Sequence, residues 1–126
     1  MNFLLVMFFF LLNALQANWY IYFEDKQIEI SYSISVCEDK KYQIKDEFFL
    51  IKVKNKTNET LVINFYLGER EDEENKVAFV LNPGEVKTGD CDNRFDLSIY
   101  SRDINISKKE PPSEFNLSNI NVIEVY

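Results

Sequence analysis

From Ile28 to Val36 the chain is apolar at every second position: Ile28, Ile30, Tyr32, Ile34 and Val36 alternate with Glu29, Ser31, Ser33 and Ser35. A period of two puts one face of a strand on a core and the other in solvent. In a helix the same residues would be spread around the whole circumference. The pattern recurs. Phe49, Ile51 and Val53 alternate with Leu50, Lys52 and Lys54, and Leu61, Ile63, Phe65 and Leu67 share one phase. Further strands are expected over Trp19–Phe23, Val77–Leu81, Glu85–Thr88, Phe95–Tyr100 and Phe115–Tyr126. No stretch after the N-terminal segment has a convincing helical period.

Turn chemistry separates these runs. Asn82-Pro83-Gly84-Glu85 has proline preset for the first central position and glycine for the positive φ of the second, the composition of a type II turn. Glu24-Asp25-Lys26 reads as the turn after the first strand. Glu69–Lys76 has no apolar anchor and is expected as an exposed loop, and Lys108–Ser113 as another, its two prolines unable to extend a ladder. Short strands about ten residues apart predict an all-β chain. The expected fold is a single immunoglobulin-like β-sandwich of seven to eight antiparallel strands over residues 18–126, with a small barrel as the rival. "Immunoglobulin-like" is architectural only, because Trp19 precedes both cysteines instead of lying between them.

Residues 1–17, MNFLLVMFFFLLNALQA, carry no charged side chain. The apolar run Phe3–Leu12 is about half of the roughly 20 residues that a bilayer-spanning helix needs. It reads as a cleaved signal peptide ending at the small Ala17, although a positive n-region is missing apart from the α-amino group. The alternative is a short buried or anchoring segment. The expected location is periplasmic, outer-surface or extracellular, with no stable membrane insertion of the mature chain. All charged side chains follow Phe23, so the mature part keeps the net charge of −7. That balance disfavours nucleic acid and anionic membrane as partners. Apolar content of 46% with 15% aromatics argues against disorder.

Cysteine occurs at Cys37 and Cys91 only. In an exported chain an even count predicts a disulfide. Closing a loop of roughly 54 residues is worth about 4 kcal/mol in the chain-entropy description.

The absence of histidine removes Ser-His and Cys-His nucleophile pairs and His-containing zinc sites. Gly68, Gly84 and Gly89 are turn-like and form no phosphate-cradling loop. A pair of catalytic carboxylates stays open, since acidic residues are many and their spacing in space is not written in the sequence. Two acidic clusters invite a calcium reading: Asp90, Asp92, Asn93 and Asp96, and Glu69, Glu71, Asp72, Glu73 and Glu74. Neither has the EF-hand spacing, and solvated loops are preferred. No metal or cofactor is expected. In the first hairpin Trp19, Ile21 and Phe23 are expected inward, and Tyr20 and Tyr22 outward, where they would support the sheet or meet a partner.

The order of "FEDKQIEI", Cys37, "FFLIKVKNKTNETLVINFYL", "LNPGEVKTGDC", "LSIYSRD" and "FNLSNINV" resembles a group of small exported β-sandwich proteins of Bacteroidota-type bacteria. Members have an I-x-N-K-T strand-to-hairpin stretch, here Val53-Lys54-Asn55-Lys56-Thr57 with valine first. They also have a P-x-E … G-x-C segment, here Pro83 to Cys91. The resemblance covers most of the mature chain and implies a fold but no activity. Many members carry extra cysteines after the "NFYLG" strand, where this chain has the acidic "EREDEEN". The departure leaves Cys37 and Cys91 to pair with each other.

Four Asn-x-Ser/Thr triplets, at Asn55, Asn58, Asn105 and Asn116, raise the question of glycan acceptors. In "NKTNET" the preferred reading is the polar tip of a hairpin. The functional expectation is a non-catalytic exported binding or structural module of the cell envelope, with an unidentified protein or glycan as partner. Candidate contacts are Glu69, Glu71, Asp72, Glu73, Glu74, Tyr20 and Tyr22. The alternatives are an exported immunity or inhibitor protein capping a basic toxin or enzyme, and a small carboxylate-dependent carbohydrate-active enzyme.

Overall fold

The computed structural model describes residues 18–92, 96–103 and 114–125. Residues 1–17, expected as a signal peptide, Phe95, and residues 108–113, expected as a loop, lie outside them. The strands are β1 (Tyr20–Glu24), β2 (Ile28–Asp39), β3 (Ile44–Asn55), β4 (Thr60–Leu67), β5 (Lys76–Leu81), β6 (Val86–Thr88), β7 (Ser98–Asp103) and β8 (Leu117–Val125). All pairings are antiparallel. One sheet runs β1-β2-β3, with β6 and β7 sharing the far edge of β3; the other runs β5-β4-β8. This is a β-sandwich. In an immunoglobulin constant domain the first, second, fifth and fourth strands form one sheet. Here the first three strands lie side by side, so the likeness is one of architecture.

The alternating residues meet between the sheets. Ile28, Ile30, Phe49, Ile51 and Val53 from the first sheet pack with Leu61, Ile63, Phe65, Phe79 and Leu81 from the second, closed by Leu97, Phe115 and Leu117. Each such side chain stabilises the fold by about 1.5–3 kcal/mol on burial. Ile99 packs against this cluster partly buried.

Two tight spots flank β6, and the first takes the chain from one sheet to the other. At Asn82–Glu85 the Glu85 N–H donates to the Asn82 carbonyl at 3.0 Å, and Gly84 has φ 72°, as the type II turn requires. Gly89 donates its N–H to the Ile51 carbonyl at 2.8 Å. A Cβ there would lie 2.0 Å from the Leu97 carbonyl oxygen, so this crossing excludes every side chain.

Cys37 and Cys91 form the disulfide, with Cα atoms 5.4 Å apart. It joins β2 to the segment that leads into β7. The strand expected over Phe95–Tyr100 begins later, at Ser98, and runs to Asp103.

Two sequence expectations are corrected. In β1, Ile21 pairs with Ser31 and Phe23 with Ile30, so Tyr22 is the extra residue of a bulge. The bulge shifts the side-chain phase. Ile21 is 64% exposed, Trp19 sits outside over the Lys52 ammonium at 4.4 Å, and Tyr22 turns in against the core. Phe23 packs inward, as expected, while Tyr20, expected outward, is exposed but shares the core-side face of its partner Tyr32. In β2 the apolar phase outlasts the core. Tyr32 stacks on Phe115, but Ile34 and Val36 beyond it are 49% and 53% exposed, because β2 outruns the opposing layer. Ser31 and Ser33, on the opposite face, are buried.

Candidate functional site

The end of the sandwich where β4 stops and β8 starts holds a groove of about 640 Å³, lined by Tyr22, Glu69, Arg70, Tyr100, Phe115 and Asn116, among others. Its floor is built by local chemistry. Gly68, at φ 79°, donates its N–H to the Asn116 carbonyl at 2.9 Å, and its own carbonyl accepts the Ser118 hydroxyl. The bulged Tyr22 reaches across from the other sheet. Its hydroxyl donates to Asn116 Oδ1 at 3.0 Å and accepts the Leu117 N–H at 3.1 Å. Both hydrogen-bonding capacities of the phenol are thus used to hold the wall.

Aromatic rings form the apolar part. Phe115 meets Tyr22 edge-on at 4.9 Å, Tyr32 face-to-face at 4.3 Å and Phe49 at 5.4 Å. Tyr20 extends the row, 5.6 Å from Tyr32. Ring pairs of this kind add about 0.5–1.5 kcal/mol beyond their burial. Tyr100 also lines the groove, edge-on to Phe48 at 5.7 Å and 54% exposed.

The acidic residues are exposed, as expected. Glu69 lies on the groove, and Glu71, Asp72, Glu73 and Glu74 continue along the loop away from its lining residues. A 3-10 turn, Glu73–Asn75, ends the loop, with the Asn75 N–H on the Asp72 carbonyl at 2.9 Å. Of the sequence candidates, the fold brings Tyr22 and Glu69 together in one groove and leaves Tyr20 beside it. Tyr22, expected outward as a free contact, is turned by the bulge into a half-buried support. The sequence does not single out Phe115, Asn116, Arg70, Tyr100 or Glu114 for this place. The one signal for them is "EFN" following a proline-rich stretch, which marks a loop at a sheet end but not which end.

At the opposite end, Asn55 is fully buried. Its Nδ2 lies 2.8–3.1 Å from the carbonyl oxygens of Glu59, Leu81 and Asn82, and its Oδ1 accepts the N–H and the hydroxyl of Thr57 at 2.9 and 2.7 Å. The nitrogen that a glycan would occupy is the one closing the turn from β3 to β4. Those two strands lie in different sheets and do not pair, so the stretch is a sheet-to-sheet connection and not the hairpin tip expected. Asn55 is a structural residue of the turn, and the rest of the connection is Lys56–Glu59, where Asn58 is exposed. Asn116 accepts from Tyr22, and Asn105 lies outside the described residues.

Among the described residues no three Cys, Asp or Glu side chains are placed to hold a metal ion, and no helix is long and apolar enough to cross a membrane. Asn93 of the second acidic cluster lies outside those residues. Compared with known proteins, the chain matches no family model, no curated protein and no solved structure.

Proposed function

We propose that this chain is an exported, non-catalytic binding module that takes a cationic segment of another protein at the acidic end of its sandwich. The observation that carries the reading is the junction of two chemistries in one groove: Glu69 and Glu114 line it together with Tyr22, Tyr100 and Phe115. Carboxylates attract Lys and Arg at long range, and aromatic faces hold their stems and charges at contact. The loop beyond Glu69 adds Glu71, Asp72, Glu73 and Glu74 to the same field. The disulfide and the resemblance to exported sandwich proteins support placement outside the cytoplasm.

The test is a titration of the full-length protein with a deca-lysine peptide, followed residue by residue by NMR. The expected result is perturbation centred on Tyr22, Gly68–Arg70 and Asn116 that fades as salt rises above about 0.15 M. Replacing Glu69, Glu71, Glu73 and Glu74 by Gln and Asp72 by Asn should weaken binding about tenfold or more at low salt. Equal binding by that variant, or perturbation that avoids the groove, overturns the reading. Perturbation of the groove by a neutral oligosaccharide, with none by the peptide, would make it a glycan site.

A further inference from the structure

The backbone of β2 has an open edge. Ile51 of β3 donates its N–H to Leu97 and accepts that of Gly89, both on the side away from β2. Its partner Tyr32 therefore directs its own N–H and C=O away from β3, toward β1. By alternation Ile34, Val36 and Glu38 direct theirs the same way. β1 covers this edge only up to the Tyr20–Tyr32 pair. Beyond it, these groups have no backbone partner among the described residues. The Cys91 sulfur lies 4.0 Å from the Val36 carbonyl oxygen, but a disulfide sulfur has no proton to give, so Cys91 supplies that acceptor with no hydrogen bond.

Four other edge strands are protected in the ways usual for sheets. β1 is short and bulged, β6 spans Val86–Thr88 only, β5 opens with Lys76, and β8 is interrupted at Asn119 with φ 52°. The stretch Ser33–Cys37 of β2 has no charge, proline or bulge. Its exposed Ile34 and Val36 continue the face on which Tyr32 stacks with Phe115, so the edge runs into the aromatic wall of the groove.

We infer that this edge receives an extended segment of another protein as an added antiparallel strand, hydrogen-bonded to Ile34, Val36 and Glu38. Side chains of the added strand share a face with the residues they oppose. The complementary pattern is basic, any, apolar, any, apolar, with the cation opposite Glu38 and the apolar residues opposite Val36 and Ile34. A second copy of the chain fits less well. Two-fold pairing about Val36 joins only two short stretches, whereas stable interfaces bury about 800 Å² per partner, and each copy carries the same negative charge. The basic character of the segment rests on the function proposed above; the strand addition rests on the edge itself.

The experiment uses the full-length protein, amide hydrogen exchange, and a capped peptide, Lys-Thr-Val-Thr-Val-Thr-Lys. The expected result is exchange slowed about tenfold or more at Ile34, Val36 and Glu38. Ser35 and Cys37, whose N–H groups point into the β3 ladder, should not change. The same peptide N-methylated at both valines should lose the effect without any change to the protein, and Val36→Pro should lose it from the protein side. Protection of the three amides without peptide at low concentration would show that the chain covers its own edge. Protection that grows with protein concentration would assign the edge to a second copy. Binding without protection would confine the ligand to the groove. Each of these outcomes, and failure of the peptide to bind, overturns the strand addition. If protection appears but neutralising the acidic loop leaves affinity unchanged, the edge stands and the proposed function falls.

Discussion

The ring of Tyr32, on β2, lies 4.3 Å from that of Phe115 and only 18° from parallel, although Phe115 leads into a strand of the opposite sheet. Phe115 precedes β8 and covers β2 at Tyr32, beyond which Ile34 and Val36 are exposed. Phe115→Ala removes contacts to Tyr22, Tyr32 and Phe49 together. The expected loss is about 3–5 kcal/mol in urea unfolding. Phe115→Leu should recover more than half of it. Equal costs for the two variants would mean that the rings are not packed as described.

Asn55 offers a test between a structural and a glycan role. Asn55→Asp keeps an oxygen for Thr57 but turns the second oxygen toward the carbonyls of Glu59, Leu81 and Asn82. Asn55→Ala leaves the same carbonyls unsatisfied without placing charge against them. Loss of a buried partner costs about 1–3 kcal/mol, more for a charge, so the order of stability should be Asn55, then Ala, then Asp. Expression in a glycosylating host followed by peptide mass mapping should find Asn55 bare in the folded product.

How much of this is legible in the sequence depends on the range of the interaction. Phe49, Ile51, Val53, Ile63, Phe65, Phe79 and Leu81 are readable as core because each lies in the apolar phase of its own strand, and Leu97, just before β7, is readable from the alternation that leads into it. The type II turn is readable because Pro83 and Gly84 act on the backbone locally. The bulge at Tyr22 is not, since nothing in Ile21-Tyr22-Phe23 marks one residue as extra; the register of β2 and the reach of the phenol to Asn116 decide it. The exposure of Ile34 and Val36 is hidden for a similar reason. Alternation reports a face, not how far the opposing layer extends along it. The groove joins residues 22, 69 and 115, and only the packed sheets bring them together.

Glycine should be irreplaceable at position 89 and merely preferred at 84. Gly84 has φ 72°, and nothing lies within 4 Å of the place a Cβ would take, so Gly84→Ala meets only the left-handed backbone cost of about 1–2 kcal/mol. Gly89→Ala drives its Cβ into the Leu97 carbonyl, which can yield only by breaking the Leu97–Ile51 hydrogen bond. The expected cost is clearly larger than at Gly84, measured by thermal unfolding, with faster amide exchange at Ile51. Equal melting temperatures for the two variants would sink the close crossing.

The disulfide supplies the last prediction. Cys37 is buried on β2, where it faces Asp46 in an unbroken ladder from Ile28–Asn55 to Asp39–Ile44. The hairpin therefore does not need the bond to form. Cys91 has no strand of its own and is tied to the sheet through Cys37 and through the Gly89 crossing two residues earlier. Replacing both cysteines by serine should lower stability by about 4 kcal/mol, chiefly by freeing the unfolded chain. The effect within the folded state should be local. Amides of β3, and those of β2 that point into the β3 ladder such as Ser33 and Ser35, should stay protected at low denaturant while those of Cys91 and Asp92 exchange faster. Single Cys37→Ser and Cys91→Ser variants should match the double variant within about 1 kcal/mol, because either one opens the same loop. A double variant as stable as the parent would show that the bond constrains nothing the ladder does not already hold.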